Sequence, residues 1–184
     1  MSLIRSPDPV LLVIAVFSRH SKVFSWARAR LEECFGAVEL ASPLYEFKQT
    51  DYYKPTMGKG LQKCFFAFHD LVDQASLAGI KIRTNQLELE LQSKGTYAET
   101  RPVNLDPGVL SLGKFLLATT KDQAHRVYLQ DGIFAEVTLR FQAGTFTPWP
   151  WTYADYQLPG TIAFLNQARD YYRRRLRETH PDKE

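Results

Sequence analysis

VLLVIAVF, residues Val10–Phe17, is continuously apolar and rich in β-branched side chains. A run of this length and composition predicts a central strand whose two faces are both covered by other elements. Ser18 or Ser21 can cap a helix that follows, and the apolar positions of this helix repeat at helical spacing up to Gly36, where we expect it to end. The chain is therefore predicted to open with a buried strand and an amphipathic helix packed on it.

The rest of the first half is predicted to alternate strands and helices. The predicted elements are a strand over Val38–Phe47, a polar loop over Lys48–Gly60, a strand over Gln62–Phe68, a helix over Asp73–Lys94 and a strand over Arg101–Leu105. Pro43 should break the first of these strands into an edge or bulged form. Asp73–Lys94 contains alternating leucines, but its length and its Gln, Glu and Lys content favour a helix. The tripeptide Asp106-Pro107-Gly108 predicts a turn that ends the last strand.

The order strand–helix–strand–strand–helix–strand is the split βαβ pattern of ferredoxin-like folds. Beyond it lie an apolar segment of ambiguous type (Val109–Ala118), a hairpin with a third strand, and a last helix over roughly Thr161–Arg177. We therefore predict an α+β fold, with a ferredoxin-like half extended by an antiparallel hairpin sheet and a C-terminal helix. Residues 1–184 are expected to form a single domain, with residues 1–8 and 179–184 frayed.

Asp131-Gly132 is the strongest hairpin signal, and it joins predicted strands over Arg126–Gln130 and Ile133–Phe141. A two-residue turn there pairs Gln130 with Ile133, Tyr128 with Ala135, Arg126 with Val137, His125 with Thr138 and Val127 with Glu136. A second turn at Ala143-Gly144 pairs Arg140 with Thr147, Thr138 with Trp149 and Glu136 with Trp151. Because directly opposed side chains share a face, the expected common surface carries His125, Glu136, Arg140, Trp149 and Trp151. A single-residue bulge would change this assignment.

This surface predicts chemistry centred on His125. The imidazole can act as a general base, oriented by Asp122 or Glu136, and the alternative is an ordinary strand histidine bonded to a neighbour. Asp122, His125 and Glu136 could also hold a divalent cation, although no recognised ligand motif supports this. Glu136 and Arg140 are expected to pair across strands or to bind a ligand.

Two polar loops are candidates to complete the site. Lys121 and Arg126, with Thr119 and Thr120, can seat a phosphate or a carboxylate, and solvated loop charges are the alternative. The segment Thr50–Lys54, with Asp51 and Tyr52, has the same character. The sequence spacing does not show whether the two loops converge.

Several other functions find little support in the residues. Met57–Gly60 lacks the glycine spacing and the Lys-Ser/Thr pair of a phosphate-binding loop. Cys34 and Cys64 are not at a metal-ligand spacing, so reduced thiols are expected.

The net charge of +3, from 23 basic and 20 acidic residues, does not require a polyanionic partner. The Arg173–Arg175 run could attract nucleic acid, but acidic neighbours favour a solvated helix face. The longest apolar run is too short to span a bilayer and no signal peptide is evident, so a cytoplasmic location is expected.

Five segments carry a resemblance to a known family. They are Thr50–Gly58 (TDYYKPTMG), Val103–Gly108 (VNLDPG), Leu117–Leu129 (LATTKDQAHRVYL), Asp131–Leu139 (DGIFAEVTL) and Trp151–Tyr156 (WTYADY). The chain resembles the bacterial proteins of domain-of-unknown-function family 4416, some of which are labelled GTP-binding. The resemblance implies a compact single-domain protein of unestablished activity. It also implies that a set of polar residues belongs to the family pattern: Asp51, Tyr52, Asn104, Asp106, Thr120, Lys121, Asp122, His125, Arg126, Glu136 and Asp155.

The function expected from these observations is the binding of a small anionic ligand, such as a phosphorylated metabolite or a nucleotide, around His125. Arg126, Lys121 and Arg140 would neutralise its charge, and Trp149 or Trp151 would stack on it. Hydrolysis or transfer, with His125 as base, is the catalytic hypothesis. The rival is a non-enzymatic interaction module that uses an edge strand or the Arg-rich C-terminal helix.

Overall fold

A computed structural model describes residues 3–4 and 6–179 of the chain. The strands are β1 (Val10–Ser18), β2 (Val38–Ala41), β3 (Tyr45–Glu46), β4 (Gln62–Val72), β5 (Asn104–Leu110), β6 (Lys114–Thr119), β7 (Val127–Gln130), β8 (Ile133–Gln142) and β9 (Thr145–Pro148). The helices are α1 (Ser21–Phe35), α2 (Lys54–Met57), α3 (Leu77–Ser93) and α4 (Pro159–Thr179), with 3₁₀ turns at Gln74–Ser76 and Ala154–Gln157. The fraying expected at the two ends falls mostly on residues 1, 2, 5 and 180–184, which lie outside this description.

The strands form one nine-stranded sheet in the order β2-β4-β1-β5-β6-β8-β7, in which β3 pairs with β4 and β9 pairs with β8. Every pair is antiparallel. All nine residues of β1 are buried, which confirms the central strand predicted from VLLVIAVF. The α+β class and the C-terminal helix are likewise confirmed. None of the helices in the described part of the chain is long and apolar enough to span a membrane.

The two faces of β1 pack against different helices. Leu12, Ile14 and Val16 belong to a core cluster with residues of α1 and α3. Leu11, Val13 and Ala15 belong to a second cluster with Phe164, Leu165 and other residues of α4. The sheet therefore lies between the α1–α3 layer and α4, and each face of the central strand is buried, as its continuous apolar sequence requires.

As predicted, Pro43 breaks the second strand. The two parts, β2 and β3, both pair with β4 at the edge of the sheet. The helix predicted over Asp73–Lys94 is confirmed as α3. The predicted Lys48–Gly60 loop includes the single turn α2. The ambiguous segment Val109–Ala118 divides between the end of β5 and most of β6.

The turn predicted at Asp106-Pro107-Gly108 is wrong, because β5 continues through all three residues and pairs with β1. Pro107 has no N–H to donate, and the ladder between β5 and β6 extends only over Gly108–Leu110. A Cβ on Gly108 would lie 2.5 Å from the carbonyl oxygen of Leu116, so the close approach of the two strands requires glycine. Asn104–Pro107 is therefore unpaired on the β6 side, and a gap opens there.

The predicted register of the first hairpin is correct at the turn, where Gln130 pairs with Ile133, and wrong by one residue beyond it. Val127 pairs with Ala135 and Tyr128 with Phe134, because a bulge follows Tyr128. Arg126 and His125 lie before β7 and are not in the ladder, so the predicted pairs Arg126–Val137, His125–Thr138 and Val127–Glu136 do not form.

The second predicted turn keeps its register, and Arg140 pairs with Thr147 as predicted. Strand β9 ends at Pro148, so Trp149 and Trp151 follow the ladder instead of pairing with Thr138 and Glu136.

Candidate functional site

A cavity of about 450 Å³ opens where β5 and β6 stop pairing. Its aromatic wall includes Phe17 of β1, Phe47 and Tyr53, whose rings lie 5.0–5.9 Å apart. Tyr153 and Tyr156, from the segment before α4, also line it. Small-molecule sites occupy about 300–1,000 Å³ and combine apolar walls with a few polar groups, so the cavity has the size and composition of a ligand site.

The two polar loops named in the sequence converge at the mouth of this cavity. Lys121 Nζ donates a hydrogen bond of 2.7 Å to the Tyr52 hydroxyl and lies 4.0 Å from the centre of that ring. This hydrogen bond, with the Lys121 charge, lowers the pKa of Tyr52. Both side chains are exposed. The mouth is therefore formed by a tyrosine and a cation that are 69 residues apart in sequence.

The inner end of the cavity carries a hydrogen-bonded network around Asp106. Lys81 Nζ donates to Asp106 Oδ1 at 3.1 Å and to the Leu105 carbonyl at 3.0 Å. Asn104 Nδ2 donates to Asp106 Oδ2 at 2.6 Å, and Arg101 donates to Asn104 Oδ1. Lys81 belongs to α3, so it reaches Asp106 from the opposite face of the sheet through the gap beside β5.

The environment keeps Asp106 ionised. Burial by itself would raise the pKa of Asp106, but the Lys81 ammonium, the Asn104 hydrogen bond and the Arg101 charge together outweigh it, and the pKa is lowered. Burial raises the pKa of Glu88, a neighbouring carboxylate that accepts from the Leu105 amide at 2.7 Å and from Arg101 Nε at 2.9 Å. Asp106 is therefore an ionised carboxylate of the cavity lining, and in this state it acts only as a hydrogen-bond acceptor.

A buried ion pair lies behind the cavity wall. Lys63 is fully buried, donates to Asp155 Oδ2, and lies 4.1–4.6 Å from the ring centres of Phe17, Phe65 and Tyr156. Burial lowers the pKa of Lys63 despite its carboxylate partner. Asp155 lines the cavity, but its charge is balanced from behind by this ammonium.

The predicted partnership of His125 with Glu136 exists, although it arises from a different register. His125 Nε2 lies 3.2 Å from Glu136 Oε2, and the same oxygen accepts from Arg126 Nε at 2.8 Å. Glu136 Oε1 accepts from Thr138 Oγ1 at 3.2 Å. The Arg126 and Glu136 side chains are each only 1% exposed. The carboxylate is therefore buried and fully paired with protein groups.

Four side chains form a continuous stack beside this pair. The Arg140 guanidinium lies 4.3 Å from the Trp149 ring, Trp149 stacks on Trp151 at 5.2 Å, and Trp151 stacks on His125 at 5.4 Å. Trp151 Nε1 donates to the Val137 carbonyl at 3.1 Å. That carbonyl belongs to the part of β8 that pairs with neither β7 nor β9, so the stack covers an open section of the sheet edge.

The structure brings six of the predicted site residues to the cavity and leaves eight outside its lining. Those in the lining are Tyr52, Asn104, Asp106, Thr120, Lys121 and Asp155. Those outside it are Asp51, Asp122, His125, Arg126, Glu136, Arg140, Trp149 and Trp151. Asp122 is exposed and, among the described residues, forms no hydrogen bond or ion pair with His125 or Glu136, and Asp51 pairs with Lys54 at 2.6 Å. Among residues 3–4 and 6–179, no three His, Cys, Asp or Glu side chains are grouped as metal ligands.

Arg126 connects the His125 cluster to the cavity. Its Nη1 donates to the Lys121 carbonyl at 3.0 Å and its Nη2 to the Tyr153 hydroxyl at 2.6 Å. Both acceptors belong to residues of the cavity lining, so the buried pair supports the mouth loop and one aromatic wall.

Sequence reasoning missed Lys63 and Lys81. A lone lysine inside the apolar strand QKCFFAF was the available signal for Lys63, and no comparable signal marked Lys81.

A family model described as "Domain of unknown function (DUF4416)" matches residues 8–172, which is most of the chain. The chain therefore belongs to the DUF4416 family, as its five segments predicted. No curated protein and no solved structure matches it.

Proposed function

We propose that this member of the DUF4416 family binds a small organic anion, a phosphorylated metabolite or a nucleotide, in the cavity between β5 and β6. Lys121 neutralises the anionic group at the mouth, and the aromatic wall contacts the rest of the ligand. The binding position differs from the one expected around His125, because the imidazole does not line the cavity.

The charge state of the cavity lysines supports this proposal. Lys81 pairs with Asp106, and Lys63 pairs with Asp155 behind the wall. Within the described part of the chain, Lys121 forms no ion pair with a carboxylate, and its ammonium donates to the Tyr52 hydroxyl. An exposed ammonium at a cavity mouth can form charge-assisted hydrogen bonds with a phosphate or carboxylate. This unbalanced cation is the observation on which the proposal rests.

A catalytic role for His125, in hydrolysis or transfer, stays a prediction. The imidazole is bonded to Glu136 and stacked on Trp151, and neither residue lines the cavity. We assign His125 and Arg126 to the support of the binding site, through the hydrogen bonds of Arg126 to Lys121 and Tyr153.

We also propose that the first half of the chain is a ferredoxin-like unit and that the protein is cytoplasmic. The order β2-β4-β1-β5, with α1 and α3 as the connecting helices on one face, supports the interpretation of the first half as a ferredoxin-like unit. The free thiols of Cys34 and Cys64 are compatible with the proposed cytoplasmic location.

Thermal unfolding with a panel of anions tests the proposal. At a concentration of about 100 times its Kd, a ligand stabilises the native state by about 2.7 kcal/mol, which raises Tm by roughly 5–10 °C for a chain of this size. We expect at least one of ribose 5-phosphate, glucose 6-phosphate and the nucleoside monophosphates to raise Tm. Lys121→Ala should weaken its binding about 10- to 100-fold, since a hydrogen bond to a charged group contributes about 1.5–3 kcal/mol.

Lys22→Ala is the matched control, because Lys22 is an exposed lysine of α1 and does not line the cavity. It should leave the shift unchanged. If none of these anions shifts Tm at millimolar concentration, or if Lys121→Ala keeps the full shift, the cavity does not bind anions in this way.

The rival function, an interaction module based on the Arg-rich helix α4, has less support from the contacts. Arg169 lies 3.5 Å from the Phe141 ring and donates to the Leu112 carbonyl at 2.7 Å. Arg175 donates to the Tyr171 hydroxyl at 2.8 Å and to the His69 carbonyl at 3.0 Å. These arginines hold α4 to the body of the protein, so they are not free to form a continuous surface for nucleic acid. Nucleic-acid binding that weakens steeply with salt would revive the rival.

A further inference from the structure

We infer that the ligand binds with a flat heterocycle at the inner end of the cavity. One edge of this heterocycle carries a hydrogen-bond donor next to an acceptor, and Asp106 and Lys81 together recognise that edge. The chemical class is a nucleobase, and with the anion at Lys121 the ligand is a nucleotide. This inference rests on the proposed function and specifies its ligand.

The acceptor half of the recognition is Asp106. Its side chain is 26% exposed, against 7% for Asp155, so it is the more accessible carboxylate of the lining. Each of its oxygens accepts one protein hydrogen bond, from Lys81 and from Asn104. A carboxylate oxygen has about two acceptor positions, so both oxygens can still receive a donor from a ligand. An ionised carboxylate at the inner end also repels a phosphate, which must then lie at the other end.

The donor half is Lys81. An ammonium has three N–H groups, and two of them are used by the Leu105 carbonyl and by Asp106. Lys81 lines the cavity, but its side chain is only 6% exposed, so the third N–H group can reach a ligand atom only where that ligand is already bound at Asp106. Its nitrogen lies 3.1 Å from Asp106 Oδ1, which places a donor directly beside an acceptor. The Watson–Crick edge of every nucleobase has the complementary arrangement of an acceptor beside a donor.

The walls between the two ends favour a flat ring over a saturated sugar. Phe17, Phe47 and Tyr53 form one aromatic cluster, and Tyr52, Tyr153 and Tyr156 add three more rings. Stacking of a base on an aromatic side chain contributes substantially to nucleotide binding and tolerates any base. Polar recognition at the inner end, stacking along the wall and a cation at the mouth therefore fit base, sugar and phosphate in that order.

Isothermal titration of the intact chain with AMP, CMP, GMP, UMP and ribose 5-phosphate tests the inference. Ribose 5-phosphate carries the anion without the base. We expect at least one nucleotide to bind ten times more tightly than ribose 5-phosphate. Asp106→Asn should reduce this preference at least tenfold while the affinity for ribose 5-phosphate stays within threefold. Lys121→Ala should weaken both kinds of ligand by the same factor.

A modified ligand makes the test independent of the folding of the Asp106 variant. Methylation of the ring nitrogen on the Watson–Crick edge, as in N3-methyl-UMP or N1-methyl-AMP, should reduce the affinity of the preferred nucleotide to that of ribose 5-phosphate. If ribose 5-phosphate binds as tightly as every nucleotide, or if methylation changes nothing, the inference is wrong and the proposed anion site stands. If neither ribose 5-phosphate nor a nucleotide binds, the proposed function fails with it.

Discussion

Removal of one partner from the buried Arg126–Glu136 pair should destabilise the protein strongly. Both side chains are 1% exposed, and Glu136 Oε2 lies 2.8 Å from Arg126 Nε. In Glu136→Leu the guanidinium stays buried without its carboxylate, and loss of one partner from a buried pair costs about 3–5 kcal/mol. For a chain of this size the corresponding fall in Tm is roughly 6–20 °C.

Urea unfolding of Glu136→Leu, Arg126→Met and the double variant measures how much free energy of unfolding each variant loses. The double variant should recover much of the loss, because no unpaired charge then remains buried. Arg28→Ala is the matched control: Arg28 pairs with Glu32 at 3.1 Å, but the two side chains are 48% and 34% exposed. An exposed pair of this kind contributes about 0.3–0.5 kcal/mol.

Two results would refute this reasoning. The first is a single variant that loses less than about 1 kcal/mol, comparable to the exposed control. The second is a double variant whose loss equals the sum of the two single losses, since independent side chains would then be the correct description.

Three further predictions concern backbone space, charge and thiol accessibility. Gly108→Ala should lower the free energy of unfolding by about 1–3 kcal/mol in urea titrations, because its Cβ would meet the Leu116 carbonyl. The control Gly79→Ala, at a helix position with open space around it, should be neutral or stabilising by up to about 1 kcal/mol. The pKa of Asp106 is lower in the folded than in the unfolded chain, so its contribution to stability is present above about pH 4 and is lost as the pH falls through the folded pKa. Asp106→Asn should therefore lose less unfolding free energy than the parent protein between pH 7 and pH 3. An equal loss in the two proteins would contradict the lowered pKa. Burial raises the pKa of Cys64 to about 12, so a thiol reagent should titrate only the partly exposed Cys34 quickly in the native state and Cys64 only after unfolding; rapid modification of both would be inconsistent with this packing.

The local elements of the fold were predictable because their causes are local. The apolar run of β1, the helical spacing of α1 and the composition of α3 each correspond to the element that forms. Asp131 and Ala143 both adopt a positive φ of 51°, followed by Gly132 and Gly144, so the two turns lie where the dipeptides predicted them.

The site was predictable only in part, since its geometry depends on a bulge and on long-range pairing. The bulge after Tyr128 shifts the hairpin by one residue and moves His125 out of the strand. Six of the predicted residues line the cavity, yet its acceptor at Asp106 was expected in a turn. Lys81, which pairs with that acceptor, comes from a helix on the other face of the sheet.

The sequence by itself determined the class of the fold and the positions of most of its elements, because hydrophobic period and turn chemistry act over a few residues. Only the tertiary structure decided that Asp106-Pro107-Gly108 continues a strand, because β1 supplies its hydrogen-bond partners from about ninety residues away. The same holds for Lys63, whose carboxylate lies 92 residues further along the chain. Local patterns carry no information about which distant groups pack together, and this packing forms both the cavity and the buried pairs beside it.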